Sequence, residues 1–103
     1  MSRLVKVAET KDVAPGTGTV VEAEGRRLAL FNVAGTFHAL DNTCPHEGGP
    51  LGEGALVGQV VTCPWHSTEF NVRTGAALGP LTDAGVRRFP VQVQGNDVLV
   101  ELD

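Results

Sequence analysis

Both cysteines and two of the three histidines in this 103-residue chain fall in two short boxes, Cys44-Pro45-His46 and Cys63-Pro64-Trp65-His66, with 16 residues between His46 and Cys63. Thiolate sulfur and imidazole nitrogen are the side-chain donors that borderline and soft transition metals take. The spacing inside each box suits ligation. Cys44 and His46 are two apart, so on locally extended backbone their side chains leave on one face. Cys63 and His66 are three apart around Pro64, whose fixed φ favours a tight turn with its ends close together. Gly48-Gly49-Pro50 follows the first box and lets backbone approach where a Cβ would obstruct.

The donor types alone leave more than one reading. A structural zinc ion accepts two cysteines and two histidines, but its usual spacing sets like ligands together, whereas here each box holds one of each. A disulfide between Cys44 and Cys63 has no secretory context in the sequence to support it. The third reading is an iron-sulfur centre with mixed ligands.

The two boxes resemble the ligand boxes of the Rieske 2Fe-2S family. The resemblance continues through Gly48-Gly49-Pro50-Leu51, Phe70 and Gly75, and Gly79-Pro80 is similar to the family's proline-bearing loop over the cluster. It implies one 2Fe-2S cluster, with Cys44 and Cys63 on one iron and His46 and His66 on the other, an arrangement that raises the reduction potential above that of an all-cysteine cluster. It further implies a ferredoxin that carries single electrons from a reductase to the terminal oxygenase of a multicomponent, aromatic-ring dioxygenase or monooxygenase system. The electron would pass near His46 and His66, and small carriers of this kind are often monomeric. The alternatives are the small subunit of an assimilatory nitrite reductase, which often lacks the ligands, and a zinc-stabilised interaction module.

Catalysis by the chain alone is not expected. Family members that oxygenate substrates also hold a mononuclear iron on two histidines and a carboxylate, and setting aside His46 and His66 leaves only His38. In high-potential members a serine and a tyrosine hydroxyl bond the cluster sulfurs. The matching positions here are Thr68 and Phe70, and the chain has no tyrosine, so the midpoint is expected near the low end of the Rieske range, roughly −150 mV.

The elements that must position these boxes are strands. With 13 Gly, 6 Pro and no long helical repeat of apolar residues, the chain reads as loop-rich and all-β, a single domain over residues 1–103. Strand-like runs cover residues 4–8, 17–23, 27–33, 36–41, 55–62, 68–72, 86–94 and 97–102, with turn signals at Glu24-Gly25, Ala34-Gly35 and Gly95-Asn96. Eight to ten strands in this length give a small Rieske-like antiparallel barrel or sandwich. The cluster-binding loops, about 42–54 and 63–72, sit at one end with a proline loop at about 78–85.

A net charge of −4 with scattered cations excludes the basic stripe of a nucleic-acid binder. No apolar run approaches membrane-spanning length, and the charged first thirteen residues lack a signal sequence's apolar core, which points to the cytoplasm and away from the membrane. The doublets Arg26-Arg27 and Arg87-Arg88 read as solvated strand ends, and His38 as an ordinary strand histidine. Trp65, Leu51 and Phe70 are either core or a water-excluding shell around the centre.

Overall fold

The computed structural model describes residues 3–43, 49–65, 67–78 and 85–102. Eleven strands occur among them: β1 (Arg3–Glu9), β2 (Thr17–Ala23), β3 (Arg26–Val33), β4 (Thr36–Asp41), β5 (Ala55–Val57), β6 (Val60–Thr62), β7 (Glu69–Asn71), β8 (Ala77–Leu78), β9 (Arg88–Phe89), β10 (Val91–Gln94) and β11 (Asp97–Leu102). They form three antiparallel sheets in the orders β1-β11-β10, β2-β3-β4-β9 and β5-β6-β7-β8. The described residues include two short 3₁₀ turns, Thr10–Asp12 and Leu51–Glu53, and no α-helix, so none of their helices is long and apolar enough to cross a membrane.

The hairpins β2-β3 and β3-β4 close on Glu24-Gly25 and Ala34-Gly35, where all four residues have positive φ (52°, 83°, 51° and 95°). That turn geometry follows the twist of the flanking strands. β3 is the partition of the molecule, and its side chains alternate between two cores. Leu28 and Leu30 pack with Phe37, Ala39, Phe89, Val98, Val100 and Leu102 between the two larger sheets. Ala29 and Phe31 face the other way, onto Leu40, Leu51, Val61, Phe70 and Val72 beneath β5–β8. A strand buried on both faces explains why residues 28–32 are all buried.

Three expectations change. The run 55–62 is two strands, β5 and β6, because Gly58 takes a positive φ of 60° and turns the chain into a tight hairpin. The run 86–94 breaks at Pro90, which has no N–H to give the ladder, so β9 stays with β4 while β10 crosses to β11. Leu78, expected at the start of a loop, instead pairs with Glu69 and with Ala77 forms β8 against β7.

The arginine doublets do more than cap strand ends. Arg87 lies 4.7 Å and Arg26 5.8 Å from the ring centroid of buried Phe89, covering its face as cation-π partners. Arg27 pairs with Glu22 across the hairpin at 3.7 Å.

Candidate metal centre

The backbone on either side of the two boxes is pinned by named bonds. At the first box, β4 ends at Asp41 and buried Asn42 then closes the neck of the loop. Its Oδ1 accepts from the Gly52 N–H at 2.7 Å, its carbonyl accepts from the Leu51 N–H at 2.8 Å, and an isolated bridge joins Thr43 to Pro50. Chain entering and leaving residues 44–48 is therefore held at a fixed separation. Cys44 and His46 themselves lie outside the described residues, as do His66 and the Gly79-Pro80 loop.

The second box grows from the end of β6. The Cys63 N–H donates to the Thr68 carbonyl at 2.8 Å, and the Ser67 N–H donates to the Cys63 carbonyl at 3.0 Å. Ser67 has a φ of +60°, a conformation that glycine adopts without cost, so the turn is strained in favour of a tight return.

Cys63 is 1% exposed. Gly49, on the far side of the first box, lies over it so closely that a Cβ there would sit 2.7 Å from the Cys63 Sγ and 3.1 Å from the Trp65 Cγ. The two loops thus meet on this sulfur, and only a glycine fits at the meeting point. Thr68, whose carbonyl accepts from the Cys63 N–H, has a buried hydroxyl with no hydrogen-bond partner among the described residues. A buried orphan donor on the residue paired with Cys63 fits a group bearing acceptor sulfur, and so fits an iron-sulfur cluster.

Phe70 and Leu51 are fully buried in the core under the small sheet. Trp65 departs from the core reading, since 60% of it is exposed. Sequence reasoning anticipated the close approach at Gly49 but gave Asn42, two residues before the first box, no role beyond its place in the loop.

The family model described as the Rieske [2Fe-2S] domain matches residues 3–90. The chain belongs to the Rieske [2Fe-2S] family. The biphenyl 2,3-dioxygenase ferredoxin component of Rhodococcus jostii (strain RHA1) is 38% identical over 100 residues, covering 97% of this chain and 94% of that protein. Among solved structures, one titled as the complex of reduced oxygenase and oxidized ferredoxin in carbazole 1,9a-dioxygenase matches with a TM-score of 0.88 and 36% identity, covering 94% of this chain and 91% of the other. A putative NADH-dependent nitrite reductase small subunit from Mycobacterium tuberculosis has a TM-score of 0.87 over 100% of this chain and 97% of its own, but at 23% identity it shows the shared fold alone. The cofactor of this Rieske protein is a 2Fe-2S cluster, and the chain is an electron-transferring ferredoxin component, not a catalyst in its own right.

Proposed function

We propose that Cys44, His46, Cys63 and His66 hold the cluster, and that the protein carries electrons from a ferredoxin reductase to the terminal oxygenase of an aromatic-ring dioxygenase system. The observation that carries this reading is the near full-length match to a biphenyl dioxygenase ferredoxin, at higher identity than the nitrite reductase subunit. When bound, the cluster supplies a reversible one-electron couple. We place the carrier in the cytoplasm as a monomer, with residues 1–103 as a single Rieske domain.

The residues around Cys63 do three things in this role. Gly49 and the buried floor of Leu51 and Phe70 keep water from the sulfur side of the site, lowering the local dielectric. Among the described residues the buried Thr68 hydroxyl has no partner and is available to stabilise added negative charge, while Phe70 offers no donor. Exposed Trp65 presents an apolar surface in the second box itself, where a partner must approach for electron transfer, with exposed Glu69 and Glu53 on the strand and turn flanking the boxes. Large aromatic anchors with a charged rim are the usual currency of such docking.

The test is reconstitution and voltammetry. The expected result is a brown protein with about two irons and two labile sulfides per chain and a midpoint of roughly −150 mV. A colourless zinc-loaded protein would reject the cluster assignment, and a clearly positive midpoint would reject the role given to Phe70.

A further inference from the structure

The chain has eight lysines and arginines, and six have an evident structural role. Lys6, Lys11 and Arg27 pair with carboxylates at 3.1–3.7 Å, and Arg3 pairs with Glu24. Arg26 and Arg87 cover Phe89. The remaining two, Arg73 and Arg88, form no ion pair with a carboxylate among the described residues, and each lines a cavity that the half-buried His38 also lines. In a chain of net charge −4, with acids in excess, setting two cations against a histidine is locally unfavourable. Local choices that oppose stability mark functional positions more often than accidents.

The space around His38 is built to match. Two cavities, of about 220 Å³ and 340 Å³, meet at Thr36 and His38. Arg88 lines the first and Arg73 the second, and no acidic residue lines either. The first cavity opens because β9 leaves β4 at Pro90: pairing stops at Ala39 with Phe89, so Thr36, Phe37 and His38 lie past the last ladder pair. The Asp41 N–H donates across to Arg87, and strand alternation turns the N–H of Phe37, four residues back, toward the same edge. The second cavity lies against Gln59, in the turn between β5 and β6, and Gln59 is separated from Cys63 by the length of β6, about 13 Å.

We infer that this two-lobed groove is a binding site for a small oxyanion of the carboxylate or phosphate class, with Arg73 and Arg88 as its cationic walls and His38 as its floor. Guanidinium forks match both anions, and the Thr36 hydroxyl and Gln59 amide add neutral donors. Burial, followed by Arg73 and Arg88, holds the imidazole below its ordinary value, and a bound anion reverses the effect of the arginines. The groove is separated from Cys63 by the length of β6 and does not depend on what the ferredoxin reduces.

The experiment is a titration of the cluster-loaded protein with inorganic phosphate and, separately, with succinate, at constant ionic strength set by chloride, following the His38 ring resonances by NMR. The expected result is a saturable shift with a Kd of about 1 mM for at least one of the two anions, together with a rise in the His38 titration midpoint. Arg73→Gln and Arg88→Gln should each weaken binding about tenfold without changing the visible spectrum of the cluster. Tighter phosphate binding assigns a phosphorylated ligand, and tighter succinate binding a dicarboxylate. Shifts that fail to saturate by about 20 mM, or that either arginine variant leaves as strong as in the unsubstituted protein, overturn the proposal.

Discussion

The two larger sheets and the small sheet are held together by different means. β2 and β3 pair over seven residues, and β1 and β11 over six with one irregularity, around a core that runs from Val13 to Leu102. β5 to β8 are three, three, three and two residues long, too short to be stable as an isolated meander. What the small sheet has instead is a floor, Leu51, Val61, Phe70 and Val72, laid on the back of β3, and loops drawn together at Cys63. The larger sheets are a self-sufficient base, and the small sheet is a mount that needs both the base and its cofactor.

This contrast predicts that removing the metal affects one half of the molecule. In the largest effect expected, acid or chelator stripping strips hydrogen-exchange protection from the Val61 and Phe70 amides while Leu30 and Ala39 keep theirs. Simultaneous loss across β2–β4 would show a single cooperative unit and break the comparison.

Thr68→Val sharpens it, because its sign depends on whether the cofactor is present. In the metal-free protein the substitution removes a buried hydroxyl with no partner and should stabilise by about 1 kcal/mol in urea unfolding. In the loaded protein it removes a donor from beside the cluster and should lower the midpoint by some tens of mV, on the order expected for a lost bond to sulfur. An unchanged midpoint would mean that the hydroxyl serves neither purpose.

The smallest effect concerns the base. His38 titrates below its usual value of about 6.5 in the folded chain, so between the two values the unfolded chain binds more protons. Stability is therefore full above about pH 6.5 and declines as pH falls toward the folded value. His38→Gln should flatten that slope in denaturant titrations at a series of pH values. A slope that survives the substitution would assign it to another group.

The parts of this molecule that were legible in advance are those governed by local chemistry. The strand-like runs 17–23 and 36–41, bounded by the turn residues Glu24-Gly25 and Ala34-Gly35, are enough to place β2 and β4. The spacing of the two boxes likewise points to a metal centre without any tertiary information. The breaks at Gly58 and Pro90 were harder to see, since an apolar run gives the same signal whether it forms one strand or two and only the sheet it joins decides. Among non-local contacts only the close approach at Gly49 was legible, from a glycine placed just after the first box. Asn42 as the clasp of the first loop and the arginines over Phe89 depend on which strands become neighbours and left no trace. Of the two readings of Trp65, core and shell, the core one fails, because its position at the tip of a turn puts it in solvent.

The central claim is that two thiolates and two imidazoles share one cluster, and pulsed EPR of the chemically reduced protein tests it most directly. The account predicts magnetic coupling to two imidazole nitrogens, one lost in His46→Cys and the other in His66→Cys. A reduced cluster with no nitrogen coupling, or a protein that binds zinc and gives no signal, would contradict it.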